Sequence, residues 1–127
     1  MKSLFSLDDN IKFSEISGDN NKIHLDYNFT KKLFVKLPIV HGVNIVIFAL
    51  SEFFKKNKKK FFVIKNLNIK FNNYLNINEN FKVILLKNKI LIKTNSSIIT
   101  EIHIATLKSK SYDENTYNIE RSVLRKY

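Results

Sequence analysis

The chain of 127 residues has no cysteine and no tryptophan, one proline, two glycines and three histidines. Without cysteine there is no disulfide framework, no zinc–thiolate centre and no thiol nucleophile. No apolar run reaches the roughly eighteen residues a membrane span needs, and the opening MKSLFSLDDN meets acid before any long apolar stretch. Neither a transmembrane helix nor a signal peptide is therefore expected, and the reading is of a cytoplasmic protein with no membrane partner. The N-x-S/T matches at Asn28 and Asn95 are then chance. Scarcity also makes the few glycines and the proline informative, because each is used where the backbone needs geometry that other residues resist. Gly18, Pro38 and Gly42 fall together with His24 and His41 inside residues 18–42. Function is sought in that window.

What is present suffices for one core: 44% of residues are hydrophobic and 13% aromatic. One domain over residues 1–108 is expected, with a polar tail over 109–127 that either forms a terminal helix or stays loose. The formal charge of +11 would ordinarily point to a polyanionic partner. Lys, Asn, Ile and Phe are all abundant, however, while Gly, Ala, Pro and Arg are scarce, a pattern that AT-rich coding imposes on any protein. Nucleic acid is not expected as a partner, since no base-stacking motif accompanies the charge. The densest cluster, KKNKKK at 55–60, reads as a solvated helix end whose cations complement the dipole; the alternative is a contact for an acidic partner such as a carrier protein.

Along the chain, SLFSL at 3–7 is a strand candidate, and Asp8 and Asp9 are natural caps for a short helix through NIKFSEI that Gly18 ends. NFTKKLF at 28–34 offers a second short helix, with Asp26 as its cap. VNIVIFALSEFF at 43–54 is apolar on nearly every side, so a helix there should be buried. VIKNLNIKF at 63–71 alternates as a half-buried strand does, and NFKVILL at 80–86, KILIKTN at 89–95 and IITEIHIATL at 98–107 repeat the theme across links of hairpin length. One buried helix followed by four antiparallel strands packs most economically as a curved antiparallel sheet wound around the helix. That is an α+β arrangement, the hot-dog fold.

FSEISGDNNKIHLDYNF followed by PIVHG resembles the hydratase motif of the MaoC-like family, the (R)-specific enoyl-CoA hydratases and related dehydratases. The family pattern runs roughly G-D-x-N-P-x-H-x-D and then P-I-x-H-G. Gly18, Asp19, Asn21, His24 and Asp26 match in register, as do Pro38, Ile39, His41 and Gly42; Lys22 stands in place of the usual proline and removes no catalytic group. The resemblance spans residues 3–107. It implies that Asp19 and His24 are a catalytic pair, that the substrate is a trans-2-enoyl or 3-hydroxyacyl thioester carried on coenzyme A or an acyl carrier protein, that no cofactor takes part, and that the chain pairs into a homodimer or higher homo-oligomer.

The residues agree with such a site. A carboxylate and an imidazole close together in a loop hold one water between them, Asp19 taking its proton while His24 orients it or shares the acid–base work. Gly42 opens the apolar helix, so its N–H is free to bond a thioester carbonyl as charge develops there. Each has a plainer reading too. Asp19 also fits as a cap after Gly18, and His24 as a structural histidine. His41 reads mainly as a residue shaping the loop, with Asn21, Pro38 and Ile39 binding substrate or shaping the site, and His103 reads as an ordinary strand position. No metal site is expected, because the histidines and acids show no ligand spacing. Two functions remain: a hydratase or dehydratase of acyl thioesters, and a non-catalytic acyl-thioester-binding or structural subunit of the same fold.

Overall fold

The computed structural model describes residues 2–58 and 63–107. Four helices precede four strands: α1 (Leu7–Ser17), α2 (Lys22–Leu25), α3 (Tyr27–Thr30), α4 (Gly42–Lys56), then β1 (Val63–Phe71), β2 (Lys82–Leu85), β3 (Lys89–Lys93) and β4 (Ile98–Leu107). The strands form one antiparallel sheet in the order β1-β4-β3-β2. The tail expected over 109–127 lies outside the described residues.

The first expected strand is a difference. Residues 3–5 are not a strand; Ser3 and Phe5 give only their carbonyls, to the amides of Phe81 (2.9 Å) and Asn78 (2.7 Å). The helix starts earlier than the acids suggested because Ser6, not Asp8 or Asp9, is its N-cap. The Ser6 hydroxyl accepts from the Asp9 N–H and the Asp9 carboxylate from the Ser6 N–H, a reciprocal capping box. Gly18 ends α1 in the left-handed conformation, φ 77°, its N–H donating to the Ser14 carbonyl. An added Cβ there would meet nothing within 4 Å, so glycine serves the backbone angle alone. Asp26 caps α3 as expected, but that helix stops at Thr30.

The hairpins fall where the polar links placed them: Leu86 N–H bonds Lys89 O between β2 and β3, and Thr94 N–H bonds Ser97 O between β3 and β4. Two register shifts adjust which side chains face inward. One lies between Ile64 and Asn66, so Ile64 and Leu67 both turn toward the core despite a spacing of three. The other leaves Ile99 unpaired between Ile98 and Thr100 and buries it. Its carbonyl instead accepts from the amides of Asn72 and Asn73.

The core joins Ile45, Val46, Ala49 and Phe53 of α4 to Ile90 and Ile92 of β3 and Ile102 and Ile104 of β4, closed by Phe5, Leu75 and Phe81. Each fully buried Leu or Ile contributes about 1.5–3 kcal/mol, so α4 against β3 and β4 is what holds the domain. The helix is not buried all round, as its composition suggested. The sheet covers one side only, and Val43, Ile47 and Phe54 on the other are 59%, 53% and 45% exposed. Lys55 and Lys56 lie in the last turn of α4, where they complement the dipole, and Lys55 pairs with Glu52 at 3.3 Å. Lys58 is exposed; Lys59 and Lys60 lie outside the described residues. No helix among the described residues is long and apolar enough to cross a membrane.

Candidate functional site

The loop after Gly18 is shaped by its own polar side chains. Ser17 Oγ accepts from the Asp19 N–H (3.2 Å), Asp19 Oδ1 from the Asn21 N–H (3.2 Å), and Asn21 Oδ1 from the Ile23 N–H (3.1 Å). Each bond reaches two residues along the chain, the local turn chemistry for which these residue types are suited. Asn21 is thereby the N-cap of α2, and Lys22 is the first residue of that helix. The first helical position is where a proline is best tolerated, because its missing N–H would have no intrahelical partner. Lysine in the family's proline position therefore leaves the loop hydrogen bonds intact.

The segment through Pro38 is fastened from both sides. Pro38 is buried, its carbonyl accepting from Ile77 N–H (2.9 Å), while Val40 N–H donates to Leu75 O (2.8 Å). The Asn76 side-chain amide donates to the carbonyls of Val35 and Leu37. Ile39 N–H reaches across to Ile23 O at 3.0 Å, which joins this segment to α2 and sets His24 beside it.

His24 Nδ1 lies 2.8 Å from Ile39 O. A carbonyl only accepts, so Nδ1 carries the proton in the neutral ring and Nε2 is left with its lone pair. That Nε2 faces Asp19 Oδ2 at 3.7 Å. The gap is too long for a direct hydrogen bond and suits one water bonded to both at about 2.8 Å. Two acceptors then hold both of its hydrogens and leave an oxygen lone pair free. The Asp19 side chain is half-exposed and that of His24 is 12% exposed.

His41, the residue before α4, is 2% exposed and stacks on His24, ring centroids 3.8 Å apart at 23°. Its Nε2 lies 3.2 Å from Asp19 O, so by the same reasoning Nε2–H donates and Nδ1 is the bare nitrogen. Burial holds the His41 pKa below the usual histidine value, against the hydrogen bond to Asp19 O, which acts to raise it. Its Nδ1 is buried with no hydrogen-bond partner among the described residues, so a second proton would find no acceptor there. A neutral His41 thus pads one face of His24 and ties the start of α4 to the backbone of Asp19.

The ligand atoms of Asp19, His24 and His41 lie within 4.8 Å of one another. Sequence spacing gave no sign of that convergence. The two rings are stacked nearly parallel, so their in-plane lone pairs lie in neighbouring planes and do not point at one another.

A pocket of about 420 Å³ opens beside His24, walled by Ile39, Gly42, Ile45, Phe71 and Thr100 among others. Gly42 is the first residue of α4 and so has no intrahelical acceptor for its N–H. A Cβ at Gly42 would stand 2.9 Å from Phe71 Cε1, so the Phe71 ring would have to shift to admit any side chain there. Asp19 is not among the residues lining the pocket, though its carboxylate lies 3.7 Å from His24 Nε2. His103 stands apart on the outer face of the sheet, paired with Asn68 and Lys89. Sequence reasoning missed three residues. Phe71 and Thr100 reach the pocket by cross-strand pairing, which no local pattern records. Asn10, fully buried in α1, donates to both the His24 and the Ile39 carbonyls; only a polar residue on an otherwise core-facing helical position hinted at it.

Comparison with known proteins fits this geometry. The model of the MaoC-like domain family matches residues 4–107. The chain belongs to that family. Its hot-dog fold is shared with solved structures at low sequence identity. One is an (R)-hydratase from A. caviae involved in PHA biosynthesis, with a TM-score of 0.66, 16% identity, and 86% of this chain and 98% of that chain covered. Another is the R-hydratase PhaJ1 from Pseudomonas aeruginosa, with a TM-score of 0.60, 16% identity and coverage of 86% and 77%. A third is a chain of the ChsH1-ChsH2 complex from Mycobacterium tuberculosis, with a TM-score of 0.64, 14% identity and coverage of 87% and 86%. A comparison with curated protein sequences finds no match. Membership covers almost all of the described MaoC-like domain, including both halves of the site.

Proposed function

We propose that this MaoC-like domain is a hydratase/dehydratase of acyl thioesters. It adds water across the double bond of a trans-2-enoyl thioester on coenzyme A or an acyl carrier protein, and in reverse dehydrates the 3-hydroxyacyl thioester. The observation that carries the reading is the Asp19 carboxylate facing the bare Nε2 of His24 at 3.7 Å, beside a pocket that His24 and Gly42 both line.

In this reading Asp19 and His24 hold the two hydrogens of one water, whose free lone pair attacks the β-carbon of the enoyl group. As the C–O bond forms, one proton passes to Asp19 or His24, and the electron pair of the double bond moves onto the thioester carbonyl. Gly42 N–H and the positive end of α4 bond the oxygen where that charge collects; a donor of this kind contributes about a hundredfold to a thousandfold in rate. The enolate then collapses by taking a proton at the α-carbon, returned from the acid just formed. Water is thereby added complete, with no redox change and no cofactor.

The apolar side of α4 left open by the sheet, with Val43, Ile47 and Phe54 exposed, favours a homodimer in which a second copy covers this face. A cytoplasmic setting belongs to the same reading. One rival has an observation in its favour: Asp19 is half-exposed and does not line the pocket, as a subunit that binds an acyl thioester without converting it would allow. Loss of the ultraviolet absorbance of the conjugated thioester, followed with crotonyl-CoA and a longer enoyl-CoA, tests the two. Enzyme-dependent loss with either substrate is expected. Binding of both without any loss would favour the rival.

A further inference from the structure

Asn10 is a buried polar residue that the proposed reaction does not itself use. It is the fourth residue of α1, in its first turn, with no exposed surface. Its side-chain amide donates twice, to His24 O at 2.9 Å and to Ile39 O at 3.0 Å. The second acceptor is the same oxygen that receives His24 Nδ1–H at 2.8 Å. A carbonyl oxygen has two lone pairs. Asn10 takes one and the His24 ring the other. The same amide therefore holds the peptide that carries the imidazole and the oxygen that selects its tautomer. Ser14, one turn on, donates its hydroxyl to the Asn10 carbonyl at 2.9 Å and is itself buried, which adds a further tie within this turn of α1.

The cost of this arrangement is visible. Asn10 Oδ1 is buried with no hydrogen-bond partner in the described structure. An unpaired buried acceptor opposes folding, and a leucine or alanine in a core-facing helical position would avoid it. The two donated bonds, reaching 14 and 29 residues along the chain, are what asparagine supplies in return.

From this juxtaposition we infer that Asn10 is a positioning residue for His24. By fixing the Ile39 carbonyl it keeps the imidazole in its Nδ1–H form, with the bare Nε2 turned to Asp19. The inference deepens the proposed function and rests on it for the kinetic consequence, but the tautomer is a property of the folded chain whether or not the reaction occurs.

The test uses the whole chain, the variants Asn10→Ala and Asn10→Leu, and long-range ¹H–¹⁵N correlation of the His24 ring at alkaline pH. Asn10→Leu keeps the bulk in the buried position and offers no donor. In the parent His24 should be Nδ1–H alone. In each folded variant a second population with Nε2–H should appear, kcat for enoyl-thioester hydration should fall by about tenfold to a hundredfold, the scale of a misplaced catalytic group, and KM should stay within about twofold. An unchanged single tautomer in a folded variant would overturn the inference, even with a lower kcat, because the loss would then be structural. Parent protein with His24 as Nε2–H would overturn it without any variant folding. A shifted tautomer in a chain that hydrates no enoyl thioester would uphold the positioning role and remove the proposed function instead.

Discussion

Gly42→Ala separates a glycine kept for stability from one kept for chemistry. The new methyl would stand 2.9 Å from Phe71 Cε1, 3.3 Å from Cδ1 and 3.5 Å from Cζ. Ordinary carbon–carbon contact begins near 3.5 Å, so the ring must retreat by about 0.6 Å. It has room to do so, since Phe71 is 55% exposed and lies on β1 at the edge of the sheet. Overpacking of a closed core costs about 1–3 kcal/mol; an exposed ring gives way for less. Alanine in turn favours a helix over glycine by up to about 1 kcal/mol. The two effects offset, and net stability should stay within about 1 kcal/mol of the parent, a shift in Tm of no more than about 8 °C for a domain of this size. Activity should respond differently, because the methyl and the displaced ring both crowd the amide that bonds the thioester oxygen. A fall in kcat/KM of about a hundredfold is expected, the effect of losing one such donor. Thermal melts followed by circular dichroism, with initial rates on crotonyl-CoA, make the comparison. A folded variant with parental kcat/KM would refute the placing of the carbonyl at Gly42. The double variant Gly42→Ala/Phe71→Ala refines the cause: recovery of rate would assign the loss to the ring, not to the amide.

Lys22→Pro should stabilise the domain by about 0.4–1 kcal/mol, since proline at the first position of α2 gives up no intrahelical bond and restricts the unfolded chain; a lower Tm would show that the Asn21 cap depends on Lys22. His41 binds protons less readily folded than unfolded, so its neutral form contributes stability above the ordinary histidine pKa of about 6.5 that is lost as pH falls below it toward the lower folded value. Urea midpoints should therefore drop from pH 7.5 to 5.5 more steeply in the parent than in His41→Gln, and equal slopes would contradict a neutral buried His41. Sedimentation at micromolar concentration should give about twice the 15.0 kDa chain mass, with Ile47→Glu shifting it toward monomer; a monomeric parent would remove the homodimer.

The strands and the central helix were legible because each carries a period that burial enforces. Residues 63–71 and 98–107 are β1 and β4 to the residue, and the apolar run after His41 is α4. The start of α1 was misread by two to three residues because a serine cap three residues before an aspartate is a weaker signal than two adjacent acids. Among the described residues four strands stand where five were expected, because Ser3 and Phe5 bond a loop and not a neighbouring strand. Of the candidate site residues, motif spacing named Asp19, His24 and Gly42; the structure sets Asp19 3.7 Å from His24 and puts His24 and Gly42 on one pocket wall, while Asn21 caps α2 and Pro38 is buried. What spacing could not carry was contact across the fold: the stacking of His41 on His24, the wall formed by Phe71, and the two bonds from Asn10. Those depend on how α1, α2 and the segment before α4 meet.

The central claim is that Asp19 and His24 together activate one water. Its most direct measurement is the rate of enoyl-thioester hydration by Asp19→Asn and His24→Ala beside the parent, with circular dichroism confirming that each variant is folded. Both should lose at least about a hundredfold in kcat, the scale of general acid–base catalysis, and the double variant should lose little more, because either change leaves the water held by one group. A near-parental rate in either folded variant would contradict the account.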